Sequence, residues 1–175
     1  REAYAYMLPY LQLRNVVLVR REVAEQVPTQ KAFEASTLRM GVVRGFRHEP
    51  AFDALIAKLN VQKRVVEASD IEDLMRMLQR HVIDAIVCSP SLYPETLKQQ
   101  LVVRDWAPKE QVIMVNLTLT HKAFTQDQAE RWNQLLETVR QDGTLLTMAE
   151  AFMAPAEARN LFYTGTLPRL AVASP

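Results

Sequence analysis

The residues best suited to chemistry sit in two short stretches, Gly45-Phe46-Arg47-His48 and Asp84-Ala85-Ile86-Val87-Cys88-Ser89. An arginine in a glycine turn can form a bidentate pair with a carboxylate or phosphate, and a neighbouring phenylalanine can stack on an apolar or aromatic ligand body. The plainer alternative is a solvated Arg47 and a Phe46 packed on its own helix. Cys88, at the end of an apolar run, reads as a small buried hydrophobe rather than a reactive thiol. With one cysteine no internal disulfide can form, and His48, His81 and His121 are too far apart for a local metal-ligand motif. His81 and His121 read as surface or turn residues, since neither has a local carboxylate to tune it for acid–base work. The four glycines, Gly41, Gly45, Gly143 and Gly165, write neither a dinucleotide fingerprint nor a phosphate-cradling loop. No cofactor is therefore expected.

The elements that must position these residues come from a chain of 175 residues, 49% hydrophobic and 23% charged. Its 21 Lys+Arg against 20 Asp+Glu give a formal net charge of +1, with charges scattered rather than clustered, which disfavours a nucleic-acid partner. No apolar run is long enough for a membrane span.

Val16 to Val19 is a buried-strand pattern, and Val27 to Thr37 loses periodicity, which marks a boundary between two lobes. Beyond it, strands and helices alternate. Met40 to Val43 reads as a strand, followed by an amphipathic helix carrying Phe52, Leu55, Ile56 and Leu59 at i, i+3, i+4 and i+7. Arg64 to Glu67 is a second strand, with Ser69 and Glu72 as a capping box for a helix burying Ile71, Leu74, Met75 and Leu78. Ile83 to Val87 is a third strand, Pro94 to Gln99 a short helix and Leu101 to Arg104 a fourth strand. Val112 to Leu119 is a further strand, after which Thr125 and Gln128 cap a helix with Ala129, Trp132, Leu136 and Val139 on one face. After Pro155 a last short helix spans Ala156 to Phe162. The alternation predicts an α/β fold with mostly parallel sheets flanked by helices.

Four stretches, in order, carry a family likeness: Arg1 to Tyr10 ending Leu-Pro-Tyr, Met40-Gly41-Val42-Val43-Arg44-Gly45, Asp70 to Val87 ending Ile-Asp-Ala-Ile-Val, and Asn133 to Thr144 ending Gln-Asp-Gly-Thr. Together they resemble the family 3 extracellular solute-binding proteins, the receptors that feed bacterial ABC transporters. The resemblance implies a two-lobed, periplasmic-binding-protein-like (type II) fold, with residues 1–26 and 112–175 in lobe one and 27–111 in an inserted lobe two. It also implies that the first lobe is incomplete, its N-terminal part lying before Arg1. Chain crossings are expected near Arg21 to Val27 and Gln111 to Leu117.

By the same resemblance a small-molecule ligand sits in the interlobe cleft, contacted by Val43, Arg44, Phe46, Arg47, His48, Ser89 and Arg1. The turn after Gly45 would hold a ligand carboxylate at a helix N-terminus. Amino-acid receptors of the family carry an aspartate near the position of Ser89 to hold the ligand's ammonium, so its absence points to an anionic solute rather than a typical α-amino acid. Asp84 itself reads as a turn residue. The partner implied is the membrane permease of an ABC transporter, and the compartment is periplasmic or extracellular. Two other roles are compatible with the resemblance: the sensing module of a membrane receptor, and a cyclohexadienyl-dehydratase-like enzyme for which Glu49 and His48 stand near the right turn without forming an acid–base pair.

Overall fold

The computed structural model describes residues 5–89, 97, 99–151 and 155–161. The chain divides into two compact units, Arg1–Leu13 with Ile113–Pro175 and, inserted between them, Arg14–Val112. In chain order the elements are β1 (Ala5–Leu13), β2 (Val16–Arg20), α1 (Arg21–Ala24), α2 (Gln30–Ala35), β3 (Met40–Val43), α3 (Pro50–Val61), β4 (Val65–Ala68) and α4 (Ile71–Gln79). There follow β5 (Ala85–Cys88), β6 (Leu101–Arg104), β7 (Ile113–Thr120), α5 (Gln126–Gln141), α6 (Thr144–Glu150) and α7 (Pro155–Leu161).

The inserted unit is built on a five-stranded sheet of order β4-β3-β5-β2-β6. Strands β3, β4 and β5 are parallel, whereas β2 runs antiparallel to both β5 and β6. The α/β class stands, but the sheet is mixed rather than mostly parallel. Val16–Val19 supplies its fourth strand because Val17 and Leu18, both fully buried, are flanked on either side by apolar strands. That pairing moves the first boundary from residues 26/27 to 13/14. The crossing expected near Arg21 to Val27 is therefore inside the inserted unit, where Arg21 N donates to Gln100 O at 2.9 Å and Ala24 and Val27 are fully buried.

The aperiodic stretch before β3 is also structured. Thr29 caps α2 by accepting from Ala32 N at 3.2 Å, and one fully buried residue, Phe33, anchors that short helix. Two cores cover the two faces of the sheet. One gathers Val17, Val19, Phe33, Met40, Phe52, Leu55 and Leu59; the other Leu18, Val43, Leu74, Met75, Leu78, Ile83 and Ile86. The apolar stripes of α3 and α4 thus sit on opposite faces, as right-handed crossovers running in opposite directions along the sheet require, β3 to β4 one way and β4 past β3 to β5 the other. The cap of α4 is Asp70, accepting from Asp73 N at 2.8 Å, and not Ser69, whose hydroxyl donates to the Asp73 carboxylate. The short helix expected over Pro94 to Gln99 lies mostly outside the described residues.

The other unit pairs β1 with β7 antiparallel, with a register shift between Pro9 and Leu11. Pro9 cannot donate to the ladder, and the irregularity beside it lets the strand continue. Leu8, Leu119 and Ala129 form its buried cluster, with Tyr6, Leu117, Phe124 and Leu136 around it. The Thr125–Gln128 capping box starts α5 as expected.

Candidate functional site

Because β3, β4 and β5 are parallel, their carboxyl ends open at one edge of the inserted unit's sheet, the side on which open α/β sheets bind ligands. The loops there start at Arg44, Ser69 and Ser89. Val43 (6% exposed) and Ser89 (4%) are buried at the floor of this edge. Arg44 N donates to Ala68 O at 2.9 Å, after which Gly45 adopts φ +77°, a left-handed conformation that a side chain would strain. Phe46 N then donates to Val43 O at 3.2 Å and closes the turn.

That turn presents two side chains to solvent. Phe46 is 63% exposed, so it does not pack on its own helix, and Arg47 is exposed beside it. Arg44 is exposed too, but its Nε lies 3.2 Å from the Glu67 carboxylate on β4. Glu67 thus brings an acidic group to the site that the sequence reading missed; it follows Val65-Val66 with no local motif to mark it. Arg1 lies outside the described residues.

His48 turns inward. Its side chain is only 6% exposed, Nδ1 has no hydrogen-bond partner, and its backbone N–H donates to Asp53 Oδ1 at 3.1 Å. Burial pushes the His48 pKa below the ordinary imidazole value, with the charges of Asp53 and Glu49 opposing the shift. The folded state therefore resists a proton that the unfolded chain takes up near 6.5. This contribution to stability is complete above that value and is lost as pH falls through the lowered folded value. We expect the denaturation midpoint of the wild-type chain to drop more between about pH 7 and pH 5 than that of His48→Gln. Parallel pH profiles would show that His48 does not titrate with folding.

The start of α3 departs from the expected open anion site. Pro50 has no N–H to offer, and Ala51 N is already bonded to Gln111 Oε1 at 3.0 Å. Two of the amides that a helix end could offer an anion are thus missing or occupied, and the exposed Arg47 guanidinium is the cation that this turn presents. Glu49, fully buried, also points inward, accepting from Asn15 N at 2.6 Å and Asn15 Nδ2 at 2.9 Å. Neither partner has a local sequence signal, since Asn15 and Gln111 are remote along the chain.

The remaining chemical side chains are structural. Burial pushes the Cys88 thiol up to about 12, which leaves it protonated and unreactive at neutral pH. Asp84 accepts from Arg20 Nη2 at 2.7 Å and from Arg39 N at 2.8 Å, in keeping with its reading as a turn residue. His81 Nδ1 lies 2.8 Å from Arg20 Nη1, and the His121 ring sits 4.3 Å from that of Tyr6. Among the described residues no group of three or more His, Cys, Asp or Glu could hold a metal ion, and no helix is long and apolar enough to cross a membrane.

No protein-family model matches the chain, and no curated protein matches it by sequence. Solved structures do. An amino acid ABC transporter substrate-binding protein, AbpA from Streptococcus pneumoniae, bound to L-arginine, superimposes with a TM-score of 0.67 at 13% identity over 89% of this chain and 62% of its own. The ancestral amino-acid-binding protein AncCDT-1, a precursor of cyclohexadienyl dehydratase, gives 0.68 at 16% identity over 87% and 63%. A mutant of ArgBP from T. maritima gives 0.62 at 17% over 87% and 63%. The fold is that of the amino acid ABC transporter substrate-binding proteins, the type II periplasmic-binding-protein fold. The chain spans less than two thirds of the length of these neighbours, 62% of the first.

Proposed function

We propose that the chain is the solute-capturing part of an extracytoplasmic binding protein that presents a small carboxylate-bearing solute to the membrane permease of an ABC transporter. The solute contacts the carboxyl-end edge of the inserted unit's sheet, where Val43 and Ser89 form the floor and Arg44, Phe46 and Arg47 the wall, with the inward-turned His48 behind them rather than facing the solute. The observation that carries this reading is the exposed Arg47 in the Gly45 turn, a cation with five donors at the carboxyl-end edge, the side on which open α/β sheets bind their ligands. Ser89 offers no charge to an ammonium, which favours an anionic solute. Arg1 is kept as a further candidate contact on the resemblance alone.

A second reading, a zwitterionic or cationic amino acid, is favoured by Glu67. Its carboxylate beside Arg44 supplies the negative charge that Ser89 does not, and the AbpA neighbour is bound to L-arginine. Binding rather than catalysis is favoured by Glu49, whose two oxygens are both engaged by Asn15, so that it is not poised as a general acid toward a solute.

Titration calorimetry with succinate, L-glutamate and L-arginine separates the readings. A bidentate arginine contact is worth about 1.5–3 kcal/mol, so Arg47→Ala should weaken succinate binding roughly tenfold to a hundredfold. Tight L-arginine binding that Arg47→Ala leaves unchanged and Glu67→Gln abolishes would replace the anionic reading by the second. Conversion of prephenate to an aromatic product by the chain would overturn the non-catalytic reading.

A further inference from the structure

The N-terminus of α3 is capped in an unusual way. An ordinary N-cap side chain bonds the first turn of its own helix, but Glu49 makes no such bond. Its fully buried carboxylate instead takes both donors of Asn15, 34 positions earlier in the chain. Ala51 N is bonded by the side chain of Gln111, 60 positions later. Both partners lie just inside the two points at which the chain passes between its units, 13/14 and 112/113.

The same two segments are tied to each other. Arg14 forms a bidentate pair with Asp105, at 2.7 and 2.9 Å, and donates to Ala107 O at 2.6 Å. Three contacts therefore close a triangle between residues 14–15, 49–51 and 105–111. A buried carboxylate satisfied only by neutral donors is a costly way to secure one helix end, and a serine or aspartate cap would do so locally. What this arrangement adds is a fixed position of the Gly45–His48 turn relative to both crossing segments.

We propose that Glu49 is a positioning residue for the solute turn: through Asn15, and together with the Ala51–Gln111 bond, it locks the turn to the two crossing segments so that the three move as one body. The proposal rests on the reading of that turn as the solute contact. The lock itself can be read without solute, so that failure of either is distinguishable from failure of the other.

Hydrogen exchange of the full chain, followed by mass spectrometry, tests it on Glu49→Ala, which removes both bonds to Asn15, Gln111→Ala, their double variant, Arg14→Gln and Glu49→Gln. Each of the first two should speed exchange of amides 46–53 by about tenfold while α4 keeps its protection, because exchange reports local opening. The double variant should be no more than about twofold faster than the faster single, since a lock broken at one point is already open. Arg14→Gln should loosen residues 105–107 and leave the turn protected. Glu49→Gln should remain within about threefold of wild type, because Asn15 can reverse its amide to pair with the new one. Multiplicative effects in the double variant would show two independent tethers and overturn the proposal. So would unchanged exchange at 46–53 in either single variant, or a uniform rise that includes α4, which would assign Glu49 and Gln111 to stability alone.

Discussion

Gly41→Val should unfold the inserted unit or leave it close to doing so. Gly41 lies in β3 between β4 and β5, and a Cβ built there would stand 2.4 Å from Ile83 Cδ1, 2.8 Å from Leu74 Cδ2 and 3.2 Å from Ile86 Cγ2. All three neighbours are fully buried, so none can swing into solvent. Overpacking of this kind costs about 1–3 kcal/mol for a small addition and more for a branched one, while the whole stability of a domain is about 5–15 kcal/mol. Gly41→Ala should therefore lose about 2 kcal/mol in urea denaturation, and Gly41→Val should be worse. The cause can be checked by relief: Ile83→Val removes the Cδ1 that stands nearest, and the double variant Gly41→Ala/Ile83→Val should be more stable than the sum of its parts. Additive losses would place the cause elsewhere in β3. Because β3 leads directly into the Gly45 turn, the same variants should lose solute binding in proportion to folded protein and no further.

The second large effect is expected at Arg64, which no local motif singles out. The residue is only 9% exposed, and its guanidinium donates to Phe33 O at 2.8 Å, Glu34 O at 2.9 Å and Leu38 O at 2.8 Å, and also to Gln62 Oε1 and Ser36 Oγ. It also lies over the Phe33 ring, 5.5 Å from the centroid. One planar cation thus closes the C-terminal end of α2 and holds the segment that delivers the chain to β3. Arg64→Ala leaves these carbonyls without their charged donor and should cost about 3 kcal/mol. Arg64→Lys should recover little of it, since one ammonium nitrogen cannot stand at the three places from which Nε, Nη1 and Nη2 each reach a different carbonyl. Equal stability of Arg64→Lys and wild type in denaturant melts would contradict the geometric argument and leave only charge.

What can be read from the sequence follows the range of the forces involved. The stripes Phe52, Leu55, Leu59 and Leu74, Met75, Leu78 are legible because helix periodicity is local, and both are buried in the structure. The α2 helix is not, because a six-residue helix held by Phe33 and a remote arginine has no room for a period. The β1 strand hides behind Pro9, which argues against a strand until a register shift is known. The placement of β2 depends on pairing with β5 and β6, contacts some 70 to 90 residues away that leave no trace in Val16–Val19 itself.

The candidate site divides the same way. Gly45, Arg47 and the end of β5 can be found from the turn and the strand pattern. Glu67, Asn15 and Gln111 cannot, because each reaches the site through sheet register or from a distant segment. His48 and Arg47 are adjacent in sequence, yet one turns inward beside Asp53 while the other is solvated. That difference is set by Asp53 and the start of α3 rather than by residue type.

On the proposed function, solute is held at the carboxyl ends of β3 and β5. Titrating the isotopically labelled chain with succinate and with L-arginine and following backbone amide shifts tests it directly. Saturable shifts should cluster at Val43–Glu49, Glu67–Ser69 and Cys88–Ser89, whichever of the two solutes binds. Shifts centred instead on the opposite edge of the sheet, in the recess of about 40 Å³ lined by Arg20, Leu78, His81 and Leu101, would contradict it, as would no response to either solute.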